Sequence, residues 1–431
     1  MSRTDGPRRS SRDTPVDDAV PVLVSGRLRL MRDLLEYRSE FPILEHTTYL
    51  ASHTLGPMPR QAAARLAAFA RMWETRGIRA WAEGWWRSPM EVGDQIGRIV
   101  GAPPGSTVMH QNVAVAEAIA LSCFRPIDPA KNEAIALSCF RPIDPAKNRV
   151  VYERGNFPSV RYLYQAQPDL EIVVCEHDAE IVERIDERTL LVPISHVLFK
   201  DSVIQDVEPI VRRAHDVGAH VILDCYQSAG IVPVDLTGLD VDFAVGGSVK
   251  WLCGGPANGW LYVRPDLAAT LEPTYVGWQA HARPFAFEEQ LEYAEGAARF
   301  LTGTPNPAAH MAGTAGYDLI EEIGVERIRE NSLHQTQLLI DLADDAGFAV
   351  HSTRDPRRRG GAVIVNVPEA AAVYAELEQR GILGDFRPGA GIRLGPHFFT
   401  ADDEIRFAIA QIAEILETGA HERHLGAVAL H

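Results

Sequence analysis

Two apolar segments in the middle of the chain are each followed by an ionisable residue that could take part in catalysis. Residues 221–223 form a continuous apolar run that ends at Asp224, and the mostly apolar run 241–245 continues through Gly-Gly-Ser-Val to Lys250. Short apolar runs of this kind predict strands that are covered on both faces, as in a parallel α/β sheet. Open α/β sheets bind ligands at the carboxyl ends of their strands. The segment therefore predicts a carboxylate and an amine that meet at one edge of a central sheet.

A lysine and an acid in this arrangement suit pyridoxal phosphate (PLP). The cofactor needs a lysine for its Schiff base and an acid beside the ring nitrogen, because the protonated ring accepts electrons. Lys250 and Asp224 would take these two catalytic roles. A surface lysine and a solvated acid at a strand end give the same spacing, so spacing alone leaves both interpretations open.

Composition limits the class of protein. The chain has 431 residues, of which 46% are hydrophobic and 23% charged, and this predicts a globular protein large enough for two domains. A net charge of −16 argues against a nucleic acid or an anionic membrane as partner. The apolar runs are too short to span a membrane. The five cysteines have neither CxxC nor zinc-ligand spacing, which predicts reduced thiols, no metal site and a cytoplasmic location.

The motifs around Asp224 and Lys250 resemble those of a known enzyme family. The strings DCYQSAG, VPVDL and VDFAVGGSVKWLCGGP are similar to the core of kynureninase and its class V aminotransferase relatives, and the resemblance extends over residues 41–416. It implies the α/β fold of fold-type-I PLP enzymes, in which helices sandwich a mostly parallel sheet and a smaller α+β domain follows. We therefore predict a tail and helix over residues 1–40, a large PLP-binding domain over 41–307 and a small C-terminal domain over 308–431.

We predict that the cofactor phosphate binds at Asn112 and Val113. A strand over residues 107–110, a short polar turn and an Ala-rich helix follow one another there. Free backbone N–H groups and the helix dipole favour an anion at such a helix start. The resemblance places the PLP phosphate at the same turn.

The resemblance also implies further cofactor contacts. Phe157 would stack on the ring, although a loop phenylalanine tucked into the core is the alternative. His196 would lie at the ring, although a structural histidine fits the position as well. Gln227 would contact the ring oxygen, and Ser248 would also touch the cofactor. Trp278 and Thr304 would reach the phosphate of a neighbouring subunit, which implies a homodimer with shared active sites.

Three residues are predicted to bind an amino-acid substrate. In the string GIRLGPHFFT, the resemblance implies that Arg393 holds the α-carboxylate, for which a planar guanidinium offers two parallel hydrogen bonds. His281 would lie near the substrate. His53 stands where the family carries asparagine, and it is either a proton carrier or a histidine satisfied by local backbone.

Departures from the family pattern leave the reaction open. Valine replaces the family's tyrosine at position 249, and glutamine replaces histidine at position 227. Valine has no proton to donate. The first hypothesis is kynureninase-type hydrolysis of a Cβ–Cγ bond that releases alanine. The second is C–S β-elimination, or another class V reaction, on a cysteine conjugate or related amino acid. The third is a catalytically silent PLP-fold binding protein.

A perfect tandem duplication interrupts the large domain. The string EAIALSCFRPIDPAKN occupies residues 117–132 and recurs at 133–148. Two copies are too few to build a stacked repeat array, so we interpret one copy as surplus. Pro126 and Pro129 prevent one helix from running through both copies. Either one copy is extruded as a surface loop, or the second copy is helical and the first is displaced.

Overall fold

The computed structural model describes residues 33–125 and 143–426, together with the backbone of two short antiparallel strands, β1 (Pro21–Val24) and β2 (Arg27–Leu30). Most of the predicted N-terminal tail lies outside the described residues. The sequence predicts a helix over residues 28–37 at the end of this tail, and these bounds are wrong, because β2 occupies residues 27–30 and a 3₁₀ helix spans Leu34–Glu40. Arginine and leucine alternate in β2, which is the two-residue period of a strand.

A seven-stranded sheet forms the centre of the fold, as predicted. Its order is β4-β10-β9-β8-β7-β5-β6, and β10 is antiparallel to both of its neighbours while the other pairs are parallel. The strands are β4 (Thr107–His110), β5 (Arg149–Glu153), β6 (Glu171–Cys175), β7 (Thr189–Ser195), β8 (His220–Asp224), β9 (Phe243–Gly247) and β10 (Gly259–Val263); the short β3 (Thr48–Tyr49) lies outside this sheet.

Helices cover both faces of the central sheet. Alternate residues of β8 enter two different cores: Val221 and Leu223 pack on one face and Ile222 on the other. This explains the continuous apolar run in the sequence, because both faces of the strand are buried. The helices up to the end of this domain are α1 (Arg60–Arg76), α2 (Ser88–Ile99), α3 (Val113–Ser122), α4 (Pro158–Gln165), α5 (Asp178–Arg184), α6 (Val207–Asp216) and α7 (Pro265–Thr270).

The C-terminal part contains a second, four-stranded antiparallel sheet with its own core. The strand order is β11-β12-β15-β14, and apolar residues of helices and strands pack together on this sheet. The elements are α8 (Pro307–Ile323), α9 (Val325–Asp345), β11 (Ala349–Val350), β12 (Val363–Asn366), α10 (Ala370–Gln379), β13 (Ile382–Leu383), β14 (Asp385–Arg387), β15 (Gly391–Leu394) and α11 (Asp402–Thr418). The domain boundary at residue 307 stays a prediction.

An early segment of the chain attaches to this C-terminal part. Strand β3 pairs in parallel with β13, and Ala51 forms a bridge with Gly395. Residues 53 and 54 therefore lie beside β14 and β15, more than 300 residues further along the chain. No helix in the described ranges combines the length and apolar character that a bilayer span requires.

The first copy of the duplication supplies residues 117–122, the second part of helix α3. The end of the second copy, residues 143–148, leads into β5. The alternative in which the first copy is displaced is therefore wrong. Arg125 donates to both carboxylate oxygens of Asp169, at 3.0 and 2.7 Å, and the Ile143 N–H donates to the same carboxylate at 2.9 Å. Arg125 and Ile143, which flank residues 126–142, thus bind the same side chain.

Candidate active site

A cavity of about 370 Å³ lies at the carboxyl ends of β7, β8 and β9. Ser195 ends β7, Asp224 ends β8, and Lys250 follows β9 after a short turn. All three line the cavity. The two residues that the strand pattern singled out, Asp224 and Lys250, therefore meet at one site.

Burial shifts the pKa values of both central residues. Burial raises the pKa of Asp224, while the Tyr226 N–H, which donates to its Oδ1 at 2.8 Å, and the charge of Lys250 oppose this rise. Burial lowers the pKa of Lys250; Arg393 adds to this effect, and Asp224 opposes it. The lysine thus loses its proton more readily than an exposed lysine does.

Two aromatic rings flank the lysine. The Nζ of Lys250 lies 4.5 Å from the ring centroid of Tyr226 and 5.7 Å from that of Phe157. Phe157 meets Phe199 edge to face at 5.2 Å, and all three rings line the cavity. Tyr226 was not among the residues predicted from the sequence. A signal for it is Gly247, where a Cβ atom would lie 2.4 Å from carbons of the Tyr226 ring.

The start of helix α3 forms another part of the cavity wall. Asn112, Val113 and Ala114 line the cavity, and the Asn112 side chain caps the helix by accepting the Val115 N–H at 3.0 Å. A Cβ atom at Gly259 would lie 2.6 Å from the Asn112 Cα, so glycine permits β10 to approach this turn. The N–H groups of the first helical turn therefore face a space where they can bind an anion.

Arg393 is buried beside the cavity in a pair with an aspartate. Its Nε donates to Asp385 at 2.6 Å, its Nη2 donates to the same carboxylate, and its Nη1 donates to the carbonyl of Phe199. The Thr54 hydroxyl donates to Asp385 at 2.6 Å. Arg387 lies 3.0 Å from the same carboxylate. Asp385 and Arg387 were not predicted from the sequence. Asp385 faces Arg393 across the β14–β15 pair, and Thr54 reaches it from a distant segment.

His53 stands at the edge of this charged group. Its Nε2 lies 3.4 Å from Asp385, and its ring is fully buried near Trp251. Burial lowers the pKa of His53 to about 4, and Arg393 adds to the effect. His53 is therefore neutral near pH 7.

Comparison with known proteins identifies the family. A family model of class V aminotransferases matches residues 168–384, which include Asp224 and Lys250. A kynureninase from Pseudomonas fluorescens is 30% identical over 397 residues, covering 89% of this chain and 92% of the relative. A kynureninase from Burkholderia pseudomallei is 29% identical over 408 residues, covering 91% and 95%. The chain is a kynureninase-like member of the class V aminotransferase family.

Solved structures of class V proteins share this fold. A cysteine desulfurase from Thermococcus onnurineus aligns with a TM-score of 0.75 at 20% identity, covering 90% of this chain and 99% of the other. A variant of C-DES with glycine linked covalently to its PLP cofactor aligns with a TM-score of 0.76 at 21% identity, covering 88% and 99%. At these identities the likeness concerns the fold, and it confirms the predicted fold-type-I architecture.

PLP is the cofactor of this family, and the residues of the cavity fit it. Asp224 offers a carboxylate for the ring nitrogen, Lys250 an amine, Phe157 an aromatic face, and the start of α3 a seat for the phosphate. The cavity volume falls within the usual range of small-ligand sites, about 300–1,000 Å³. The individual roles of these residues stay predictions.

The other predicted cofactor residues differ in their placement. Gln227 lines the cavity, but its amide donates to the His53 carbonyl at 3.1 Å and accepts from the Trp251 indole at 3.1 Å. Ser248 is buried away from the cavity wall, where it accepts from the Tyr317 hydroxyl at 2.6 Å. His196 does not line the cavity, whereas both of its chain neighbours do. The His196 side chain is buried, and it follows directly after the end of β7.

Burial lowers the pKa of His196 to about 4, and Arg329 of helix α9 adds to this effect. The charge that acts on His196 thus comes from an arginine of the C-terminal part of the chain. The contact of this histidine with the cofactor ring stays a prediction.

Three further predicted site residues, Trp278, His281 and Thr304, do not line the cavity of their own chain. Trp278 is 38% exposed and stacks on Phe287 at a centroid distance of 5.8 Å. His281 accepts the Arg283 N–H at 2.8 Å within the same segment. Thr304 lines a separate polar cavity of about 390 Å³. The role of Trp278 and Thr304 in a neighbouring subunit, and that of His281 near the substrate, stay predictions.

Proposed function

We propose that this protein is a PLP-dependent enzyme that hydrolyses the Cβ–Cγ bond of a kynurenine-like amino acid and releases alanine. The observation that supports it most is the meeting of Asp224 and Lys250 in one cavity of a chain that is 30% identical to a kynureninase over 89% of its length. The wider assignment, a PLP enzyme acting on an amino acid, holds for both candidate reactions below.

Bound PLP would draw electrons away from the substrate Cα atom, which makes the proton on that atom easier to remove. Lys250 would take this proton at its Nζ. Burial supports this role because it lowers the pKa of the lysine, so that a neutral amine is more accessible than on an exposed lysine. The Asp224 carboxylate would hold a proton on the ring nitrogen.

The reaction also needs a proton donor near the lysine, where the family carries a tyrosine. Position 249 is a valine, and its carbonyl accepts the Gly56 N–H at 2.7 Å. We assign the donor role to Tyr226, whose ring lies 4.5 Å from the Lys250 Nζ. Burial raises the pKa of Tyr226 to about 12, and Asp224 adds to this, so the phenol keeps its proton near pH 7.

The second candidate reaction is C–S β-elimination from a cysteine conjugate or a related amino acid. Val249 favours it, because the family tyrosine that accompanies kynurenine hydrolysis is missing from this position. The same lysine would remove the Cα proton, and the sulfur would then leave from Cβ. The products would be pyruvate, ammonia and a thiol instead of alanine.

A product analysis separates these reactions. Purified protein loaded with PLP is incubated in turn with kynurenine and with a cysteine S-conjugate. We expect alanine and anthranilate from kynurenine, and a loss of at least about a hundredfold in rate for Lys250→Ala, because proton transfer by a positioned residue contributes that much or more.

Pyruvate and a thiol from the cysteine conjugate, without turnover of kynurenine, would replace the first reaction with the second. A protein that stays colourless after PLP is added would contradict both and favour a silent binding protein. The rate of Tyr226→Phe tests the proton donor separately, since phenylalanine keeps the ring and removes only the hydroxyl.

A further inference from the structure

A buried group of charges, here called the carboxylate cluster, consists of Thr54, Asp385, Arg387 and Arg393. Asp385 is fully buried and is contacted by both arginines and by the threonine hydroxyl. The side chain of Arg393 is 4% exposed, whereas that of Arg387 is 27% exposed. Arg387, which was not predicted from the sequence, is thus the more exposed of the two arginines.

Arg393 has little hydrogen-bonding capacity left for a substrate. A guanidinium has five N–H donors. In the described part of the chain, Arg393 gives two of them to Asp385, one to the Phe199 carbonyl and one to the Thr54 hydroxyl. The remaining donor on Nη1 cannot form the two parallel bonds of a guanidinium–carboxylate fork.

Arg387 retains more of its donors. Its Nη2 lies 3.0 Å from Asp385, and its Nη1 donates to the neighbouring Phe386 carbonyl at 3.1 Å. Its Nε has no hydrogen bond to another described residue. A carboxylate that reaches the cluster would therefore find free donors on Arg387 as well as on the Nη1 of Arg393.

The cluster carries an excess of positive charge. Asp385 contributes one negative charge and the two arginines contribute two positive charges, while His53 beside them is neutral near pH 7. Both arginines contact the single carboxylate of Asp385, so the cluster carries a net charge of +1. Excess charge in a partly buried site is unfavourable, and an arriving anion relieves this cost.

The cluster lies directly behind the wall of the cavity. Phe199 lines the cavity, and its carbonyl accepts a hydrogen bond from Arg393. The charges of Arg393, Asp385 and Arg387 all act on the Lys250 amine. An amino acid held near Lys250 can therefore direct its carboxylate toward the cluster.

We propose that Arg387 is a specificity-determining residue: it gives the carboxylate cluster its net positive charge, which selects substrates that carry a free α-carboxylate. This inference rests on the proposed action on an amino acid, and it adds a second cation to the predicted Arg393 site. Without Arg387 the cluster would be neutral, and Arg393 would keep Asp385 as its partner.

The test measures ligand binding and requires no turnover. The full-length protein loaded with PLP is titrated with L-alanine and with L-alaninamide, which lacks the carboxylate, and the change in the visible absorbance is followed. We expect Arg387→Gln to raise the dissociation constant of alanine at least tenfold, which corresponds to about 1.4 kcal/mol. The dissociation constant of alaninamide should change by less than about twofold.

Two further variants make the test decisive. Arg387→Lys keeps the charge and should restore most of the alanine affinity; a loss as large as that of Arg387→Gln would overturn the proposal. Arg354→Gln is the matched control, because Arg354 pairs with exposed Asp344 and its loss changes the net charge equally. Thermal unfolding of each variant checks that it is folded.

Two other results would overturn the proposal. One is equal affinity of the unchanged protein for alanine and alaninamide, and the other is unchanged alanine binding in Arg387→Gln. A protein that binds alanine in this Arg387-dependent way but does not hydrolyse kynurenine would contradict the proposed reaction and leave the inference intact.

Discussion

At the scale of single residues, the site depends on how closely Tyr226 packs against a glycine. Strand β9 ends at Gly247, and the ring of Tyr226 lies over this position beside Lys250. Gly247 has no unusual backbone angle that would require glycine. The reason for glycine is therefore space: a side chain here would displace the ring that flanks the lysine.

We predict that Gly247→Ala lowers the affinity for PLP at least about tenfold and destabilises the fold by about 1–3 kcal/mol, the usual cost of overpacking. The added Cβ would lie 2.4 Å from the Tyr226 ring, so the ring must move into the cavity. PLP titration and chemical denaturation measure the two effects.

Gly97→Ala is the control, since its Cβ would meet other atoms only at 3.4 Å or more. This variant, within helix α2, should leave PLP binding unchanged and stabilise the helix slightly. If the clash with Tyr226 is the cause, Gly247→Ala should cost much less stability in a Tyr226→Ala protein than in the unchanged protein. Additive losses in the double variant would contradict this explanation.

At the scale of elements, the duplication leaves the central sheet intact. The first copy of the duplicated segment supplies residues 117–122 of α3, and the second copy ends directly before β5 begins at Arg149. Asp169 joins these two parts, because both Arg125 and the Ile143 N–H bind its carboxylate. Asp169 thus connects the segment that follows α3 with the segment that leads into β5.

We predict that deleting residues 127–142, a sixteen-residue change that leaves one complete copy, preserves the fold and PLP binding. The shortened chain keeps both contacts to Asp169. The free energy of unfolding should stay equal or rise by up to about 1 kcal/mol, because a shorter connection costs less entropy to close. Denaturant titration and the visible absorbance of bound PLP check this.

Asp169→Ala in the full-length protein is the companion variant. It should lose about 1–3 kcal/mol, because it leaves hydrogen-bond donors of Arg125 and Ile143 without their partner. A deletion variant that no longer binds PLP, beside an Asp169→Ala variant that does, would refute the interpretation of one copy as surplus.

At the scale of the whole molecule, three distant segments build the site. Strand ends of the central sheet supply Asp224 and Lys250, β14 and β15 supply the two arginines, and Thr54 follows β3. The predicted homodimer would add Trp278 and Thr304 from a second copy. Neither residue lines the cavity of its own chain, so a direct test of action between subunits is possible.

We predict that Lys250→Ala and Trp278→Ala, each nearly inactive alone, restore activity when they are expressed together. Half of the randomly paired dimers would be mixed, and each would contain one complete site, so about one quarter of the normal activity should return. The rate per milligram of co-purified protein measures this recovery.

The matched control is co-expression of Lys250→Ala with Asp224→Ala. Both residues line the same cavity of one chain, so no mixed dimer contains a complete site and activity should stay absent. Recovery in the control, or none in the test pair, would show that Trp278 does not act on the neighbouring subunit's site.

The sequence by itself determined the central sheet and the meeting of Asp224 with Lys250. Apolar runs mark strands that are buried on both faces, and parallel strands present their carboxyl ends at the same edge. Asn112 was predictable in the same way, since a polar cap before an apolar helix is a local signal. These features depend on neighbouring residues along the chain, and so the sequence alone reveals them.

Only the tertiary structure decided which charges and rings surround this pair. Thr54 and Asp385 are 331 positions apart, yet they share a hydrogen bond in the carboxylate cluster. Tyr226 reaches Lys250 because Gly247 leaves room for its ring. Such contacts depend on how separate elements pack against each other. A contact between two elements leaves no periodic pattern in the sequence, so the sequence alone does not reveal it.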